Sequence, residues 1–201
     1  MNIFVLHRDP QEAARLHCDK HVVKMIVETA QLLSSAVHAF GEAHADRSAP
    51  QGWSRILPHP QEHLLPDQRG PLPIYSATHS NHPCAVWVRE ASGNYVWTVR
   101  LLVGLLEEYQ RRYGDESGKR HAVWALLPSL EVVPMALMQA TPPELAADGT
   151  TLLPHTPFKT VVPDDILEEH SDPVKAYRAY YRKHKAGMAR WKIDNQPEWM
   201  I

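Results

Sequence analysis

The segment from His17 to Glu28, HCDKHVVKMIVE, concentrates side chains that can transfer protons or bind anions. On a continuous helix, residues spaced i, i+4, i+7 and i+11 form one stripe beside the buried face. The residues with this spacing are His17, His21, Lys24 and Glu28. Imidazoles and carboxylates can act as general bases, while lysines can neutralise an anion. The candidate catalytic residues are therefore His17, Asp19, His21 and Glu28, and the candidate anion-binding residues are Lys20 and Lys24.

The same stripe has competing interpretations. A polar helix face with an ordinary Lys24–Glu28 pair explains the pattern without any function. Two histidines four residues apart can also bind zinc, but the glutamate of an HExxH motif and a ligand cysteine pair are both missing, so no metal is predicted. Cys18 is expected to belong to the core and to face away from the stripe, because consecutive helical residues point about 100° apart.

A second group of polar residues surrounds the start of a predicted helix at Asn81-His82-Pro83. Free backbone N–H groups at a helix start favour a phosphate or a carboxylate, and Arg89 can add a bidentate contact. Asn94 and Tyr95 can supply hydrogen bonds and a stacking surface. The candidate substrate-binding residues here are His79, Asn81, His82, Arg89, Asn94 and Tyr95. The alternative is that Asn81 only caps the helix.

A basic region lies near the end of the chain. Between Val174 and Lys192 there are seven lysines or arginines and no acidic residue, interleaved with tyrosines. Cations that bind phosphates and aromatic rings that stack on bases are typical of a nucleic-acid surface. The candidate DNA-binding residues are Arg178, Tyr181, Arg182, Lys183 and Lys185. A solvated basic helix that docks through its tyrosines is the alternative.

The elements that must position these residues are predicted to be mainly α-helical, in a single domain. Capping residues, prolines, glycines and apolar periodicity indicate each helix boundary. The predicted helices run from Pro10 to about Phe40, from Pro83 to Tyr113, over 119–127, over 133–139 and over 172–191. A short strand is expected at Asn2–Leu6, and two Pro-rich segments, 41–80 and 141–163, are expected to be long loops.

The overall composition narrows the classes of protein. The chain has 201 residues, 44% of them hydrophobic, and a formal net charge of −2, so any anionic partner must be recognised locally. Two cysteines do not make a disulfide framework, and no apolar run approaches the roughly 18 residues of a membrane helix. A cytoplasmic location and no membrane partner are expected, whereas the oligomeric state is left open.

Three strings carry a resemblance to a known family: HCDKHVVKMIVETAQLL, ATHSNHPCAVWVR followed by NYVW and EEYQRRYG, and AYRAYYRKHKAGMARWK followed by PEW. Together they resemble small phage-encoded proteins. They are similar to the helical, DNA-glycosylase-like enzymes of phage thymine hypermodification, the alpha-glutamyl/putrescinyl thymine pyrophosphorylases, which include amino acid:DNA transferases. The resemblance covers both ends and the middle of the chain and leaves only the Pro-rich segments unmatched.

That resemblance implies a reaction on a modified thymine base in DNA. An amine, such as that of the amino acid glycine, would replace pyrophosphate on a pyrophosphorylated 5-hydroxymethyluracil, without any cofactor. Lys20, Lys24 and Arg89 would bind the pyrophosphate. The base that deprotonates the amine would be His17, His21, Asp19 or Glu28. The flipped base would be received by Tyr95 with Asn94 or Asn81. A covalent route through Cys18 or Asp19 is also open.

Two other functions stay open. A DNA glycosylase that excises a modified or damaged pyrimidine would use the same basic surface and base pocket, with Asp19 or a lysine acting at C1′ of the sugar. A non-enzymatic DNA-binding accessory protein would use the stripe only to bind phosphate, so neutralising Asp19 or Glu28 would leave its function intact.

Overall fold

The computed structural model describes residues 1–41, 43–44, 53–56, 72–114, 120–193 and 196–201. Helices form most of this part of the chain. The α-helices are α1 (Pro10–Leu16), α2 (Asp19–Ala39), α3 (Pro83–Val88), α4 (Ser92–Tyr113), α5 (Leu127–Leu130), α6 (Met135–Ala140), α7 (Asp164–Leu167) and α8 (Pro173–Tyr180). Ala122–Leu126 and Glu198–Met200 form short 3-10 helices. The predicted mainly α fold is confirmed.

The first predicted helix is interrupted at its seventh residue. Helix α1 begins as expected, because the Asp9 side chain accepts the Glu12 backbone N–H and Pro10 occupies the first turn. His17 and Cys18 are extended, and α2 starts afresh at Asp19. The prediction of one continuous helix to Phe40 is therefore wrong, and His17 does not share a helix with the rest of the stripe.

The second predicted helix is interrupted as well, between Arg89 and Ser92. Hydrogen bonds to two later residues, Thr141 and Pro154, stabilise the break. The Gly93 N–H donates to the Pro154 carbonyl over 2.8 Å, the Ser92 N–H donates to Thr141 Oγ1, and the Ser92 hydroxyl donates to the Thr141 carbonyl. A Cβ at position 93 would lie 2.3 Å from the Pro154 oxygen, so only glycine fits this approach. Helix α4 ends at Gly114, as predicted.

The core forms where α1 and α2 pack against α4, with the N-terminal segment Ile3–Leu6 inserted beside them. Ile3–Leu6 is buried but is not a strand, so the predicted strand is wrong. Side chains take the place of a neighbouring strand: the Ile3 N–H donates to the Asn2 side chain, and the Leu6 carbonyl accepts from Arg178.

Short strands occur in the segments that were predicted to be loops. β1 (Ala43–His44), β2 (Trp53–Ile56) and β3 (Leu72–Tyr75) form an antiparallel sheet, in which Ala43 faces Ile56 and Trp53 faces Tyr75. β4 (Glu144–Leu145) and β5 (Thr151–Leu152) form an exposed hairpin. The prediction of a loop without regular structure is corrected at these strands, and the rest of 42–71 lies outside the described residues.

The basic C-terminal helix is shorter than predicted. Asp172 caps α8 as expected, by accepting the Lys175 N–H. The helix continues after Tyr180 as a π-helical turn, Tyr181–Lys185, and ends there rather than at Trp191. In the described part of the chain, no helix combines the length and the apolar character that a membrane span requires.

Candidate active site

Glu28 is the carboxylate around which the site is built. Its side chain projects from α2 and is 15% exposed. Its Oε2 accepts the Asn2 backbone N–H over 3.1 Å and lies 3.8 Å from the amine nitrogen of Met1. Its Oε1 lies 3.2 Å from the ammonium nitrogen of Lys24, one helical turn earlier. A largely buried carboxylate therefore has an amine beside each of its two oxygens.

The Asn2 side chain holds the first residues of the chain against Glu28. Its Nδ2 donates to the Val161 carbonyl over 2.8 Å, and its Oδ1 accepts the Tyr177 hydroxyl over 2.8 Å. The Tyr177 hydroxyl in turn accepts the Val161 N–H over 3.0 Å. Tyr177 is completely buried, so these hydrogen bonds are shielded from water. The same burial raises the pKa of the Tyr177 hydroxyl far above its usual range. The backbone beside Glu28 is therefore fixed from the C-terminal part of the chain.

His82 completes the surroundings of Glu28. The segment before α3 runs along α2, where the Ser35 hydroxyl donates to the Thr78 carbonyl over 2.8 Å. His82 then caps α3, and burial lowers its pKa, with a further decrease from the positive charges of the N-terminal amine and His79 and an opposing effect of Glu28. The structure thus brings Glu28 of the stripe together with His82 of the second group.

His17 and His21 lie in the core rather than in this site. His17 is fully buried, its Nδ1 lies 2.6 Å from the Ala13 carbonyl oxygen, and burial lowers its pKa to about 4. The His21 ring stacks on Phe4 with centroids 4.6 Å apart, and burial is the main cause that lowers its pKa to about 3. Both imidazoles are therefore neutral at pH 7, and neither presents a base to a bound substrate.

Cys18 shares its surroundings with His21. A hydrogen bond joins His21 Nδ1 to the Tyr181 hydroxyl, which also bonds to the Cys18 thiol. Cys18 is buried, and this burial raises its pKa. The expectation that Cys18 faces away from the histidines is wrong, because the break before α2 removes the helical geometry on which it rested. A buried thiol with a raised pKa is a poor nucleophile.

Asp19 and Lys20 stand at the start of α2 and have different environments. Asp19 Oδ1 accepts from Arg112 Nη1 over 3.0 Å, and the Asp19 N–H donates to the Arg190 carbonyl over 2.8 Å. Asp19 therefore anchors the helix start to two other parts of the chain. Lys20 is exposed. No contact brings Asp19 to Glu28.

Two of the predicted base-binding residues are parts of the core. Asn94 is completely buried; its Nδ2 donates to the Trp87 carbonyl and to Thr156 Oγ1, both over 2.7 Å, and its Oδ1 accepts the Thr156 N–H over 3.0 Å. Tyr95 is completely buried as well, and its hydroxyl donates to the Leu130 carbonyl. The prediction that this pair receives a flipped base is wrong, because neither side chain is accessible.

The remaining residues of the second group lie at the surface. Arg89 ends α3 and donates to the Ser80 carbonyl over 2.7 Å, which fastens the preceding turn. His79 and Asn81 are exposed, and His79 has a φ of +50°, an uncommon backbone conformation for a residue other than glycine. Such strain is often found at functional positions. These two exposed residues directly precede the helix start at His82.

The basic C-terminal region divides into inward-facing and outward-facing residues. Tyr181 is buried, so its assignment to the DNA surface is wrong. Arg178 donates to the Leu6 carbonyl and lies over the Trp199 ring, while Lys183 is paired with Asp165. Arg182 is exposed and donates to the Trp199 carbonyl over 3.2 Å.

Lys185 is one of the residues of this region that act on α2. Its ammonium lies 4.9 Å from the Tyr180 ring centroid, and together with Lys24 it contributes to the lowered pKa of His21. Lys24 is 66% exposed. The two lysines therefore add positive potential on the side of the fold where α2 carries Glu28.

Asn2 and Tyr177 were missed by the sequence analysis. Asn2 was assigned to a strand and Tyr177 to a basic surface helix. The only local indication was one amide among the apolar residues of NIFVL.

Within the described ranges, no three histidine, cysteine or acidic side chains are grouped so as to hold a metal ion.

Comparison with known proteins gives one family match. A family model described as pyrimidine dimer DNA glycosylase matches residues 1–120, which include Glu28, His82 and the N-terminal segment. No curated protein and no solved structure gives a significant match. Because the matched stretch spans more than half of the 201 residues, this chain belongs to the pyrimidine dimer DNA glycosylase family.

Proposed function

We propose that this protein is a DNA glycosylase that cleaves the bond between a damaged pyrimidine and its deoxyribose, with Glu28 as the catalytic carboxylate. The observation that carries the proposal is the position of Glu28, which is largely buried and has an amine beside each oxygen. Membership of the family supports the class of reaction. Of the functions predicted from the sequence, the family match supports the glycosylase better than amine transfer.

The adjacent amines provide the nucleophile. A free amine that attacks C1′ forms a C1′–N bond while the glycosidic bond breaks, and the bonding electron pair leaves with the base. The ammonium proton passes to Glu28, and opening of the sugar ring then gives an imine. The carboxylate also stabilises positive charge that develops at C1′.

Two amines compete for this role, the ε-amine of Lys24 and the α-amine of the chain. In a mature protein that starts at Met1, that α-amine lies 3.8 Å from Glu28, and in one that starts at Asn2 the nitrogen lies 3.1 Å away. As a class, α-amines are weaker bases than lysine ε-amines, which makes them better suited to act as nucleophiles near neutral pH. We therefore favour the α-amine.

DNA would bind on the face that carries Lys20, Lys24 and Lys185. The damaged nucleotide must leave the helical stack to bring C1′ to Glu28. Lys24, beside Glu28, and Lys185, which like Lys24 acts on His21, are candidates to contact phosphates, while Lys20 extends the positive surface along the start of α2. The sequence-predicted contacts of Arg178 and Lys183 are less suitable, because both side chains are engaged within the protein.

The test is cleavage of a duplex oligonucleotide that contains one cyclobutane pyrimidine dimer. The wild-type protein should produce an alkali-labile abasic site at the dimer, and borohydride should trap a covalent protein–DNA complex. Glu28→Gln should slow the reaction by about 10²–10⁴-fold, the range expected for a lost acid–base group. Glu12→Gln is the matched control, since it removes a carboxylate from another helical ion pair, with Arg15.

Peptide mass spectrometry of the trapped complex identifies the nucleophile. An adduct on the N-terminal peptide supports the α-amine, and an adduct on Lys24 supports the side chain. Wild-type protein that forms neither an abasic site nor a trapped complex would contradict the proposed function.

Amine transfer to pyrophosphorylated 5-hydroxymethyluracil is the competing hypothesis. His17 and His21, which were expected to serve as its bases, are buried and neutral, so the contacts give this reaction no clear base among the histidines of the stripe. Incubation of such DNA with the protein and amino acids distinguishes the two reactions. Intact strands that carry added mass on thymine would favour transfer, whereas abasic sites favour the glycosylase.

A further inference from the structure

His82 has a capping role that fixes which of its ring nitrogens carries the proton. Its Nδ1 accepts the Cys84 backbone N–H over 3.2 Å, so Nδ1 presents a lone pair to the helix start. In a neutral imidazole the proton must then reside on Nε2. Nε2 is therefore a hydrogen-bond donor, and among the described residues the hydrogen bonds of His82 involve Nδ1 and the backbone rather than Nε2.

This donor lies next to the proposed reaction centre. The Cys84 thiol donates to Asn2 Oδ1 over 3.6 Å, so the turn from His82 to Cys84 lies directly against the residue whose N–H contacts Glu28. His82 also experiences the charges of the N-terminal amine, His79 and Glu28. The His82 side chain is half-buried, so part of the ring is accessible.

The departing pyrimidine requires a hydrogen-bond donor beside the reaction centre. When the glycosidic bond breaks, the pyrimidine leaves with a negative charge that is shared between N1 and the O2 carbonyl. A preorganised N–H group at O2 stabilises this charge in the transition state. Glu28 cannot provide it, because a carboxylate repels the departing anion, and the nucleophilic amine is consumed in bond formation.

We infer that His82 is a catalytic residue whose Nε2–H donates a hydrogen bond to O2 of the departing pyrimidine. The inference rests on the proposed glycosylase function and adds a leaving-group role to it. Burial and neighbouring positive charge lower the pKa of His82, so the imidazole stays neutral at neutral pH and adds no positive charge beside the attacking amine.

The test uses two substrates and two matched variants of the full chain. His82→Asn removes the imidazole but keeps a strong helix cap, because the Asn side chain can accept the Cys84 N–H. His121→Asn is the control: His121 caps a 3-10 helix in the same way, accepting the Val123 N–H over 3.3 Å. The substrates are a duplex with a pyrimidine dimer and the same duplex with an abasic site, from which no base needs to depart.

His82→Asn should slow single-turnover cleavage at the dimer by about 10²–10³-fold, the usual effect of losing one donor to a developing oxyanion. Imine trapping and strand cleavage at the abasic site should stay at the wild-type rate, and His121→Asn should match wild type on both substrates. Equal losses on both substrates would show a structural role, and unchanged cleavage at the dimer would remove any role; either result overturns the inference. Failure of the wild-type protein on the dimer overturns the proposed function, and this inference with it.

Discussion

Replacement of Arg112 should destabilise the protein far more than replacement of its neighbour Arg111. The Arg112 guanidinium is fully buried on α4 and reaches the break between α1 and α2. It donates to the carbonyls of His17 and Arg15 over 2.8 and 2.9 Å. It also binds the carboxylates of Asp19 and Glu108, over 3.0 and 2.9 Å.

The magnitude follows from the partners that Arg112→Ala would leave behind. Glu108 is 8% exposed and the His17 carbonyl is buried, so water cannot easily replace the lost donors. Removing one member of a buried ion pair costs about 3–5 kcal/mol. For a chain of this length, each kcal/mol lowers Tm by about 2–4 °C, which gives a decrease of roughly 10 °C.

Urea denaturation followed by circular dichroism measures the change in the free energy of unfolding. Arg111→Ala is the control, because Arg111 binds the same Glu108 from the next position but is 40% exposed, and an exposed pair contributes only about 0–1 kcal/mol. If both variants lose the same stability, or if Arg112→Ala loses less than about 1 kcal/mol, the proposed role of Arg112 at the helix break is refuted.

Three further predictions follow from burial and charge. His17 has a pKa lowered to about 4, so its contribution to stability is present above pH 6.5 and decreases as the pH falls. Between pH 6.5 and 5 this imidazole alone should lower the free energy of unfolding by about 2 kcal/mol, and the total drop should be smaller by that amount in His17→Gln. Cys18 and Cys84 are buried, and burial raises the pKa of both thiols. Iodoacetamide at pH 7.5 should therefore label them only after the protein unfolds, and rapid labelling of the native protein would contradict their burial. Lys24→Ala and Lys185→Ala should each reduce the slope of log Kd against log salt concentration by about one, because each removes one phosphate contact. An unchanged slope would mean that DNA binds elsewhere on the protein.

Helix starts and one helix end were predictable because local residues determine them. Asp9 with Pro10 and Asp172 with Pro173 cap the helices that the sequence assigns to them, and Gly114 ends α4. These are interactions within a single turn of chain, so the sequence pattern contains them.

The helix breaks were not predictable, because distant residues cause them. HCD contains neither proline nor glycine, and the extended backbone at His17 and Cys18 is stabilised by Arg112 and by the Arg190 carbonyl. The assumption of one helix placed His17 in the stripe, and the break removes it. Glu28 and His82 were identified by residue type, but their connection through Asn2 required the fold.

The anchoring of Asn2 by Val161 and Tyr177 has a consequence for how the protein can be engineered. The family match ends at residue 120, yet the bonds that fix the first residues come from beyond it. A fragment truncated at residue 120 would lose its anchor, and a chimaera with a relative must exchange the N-terminal segment together with residues 159–177. An affinity tag at the amino end would place a peptide bond beside Glu28, so a purification tag belongs at the other end.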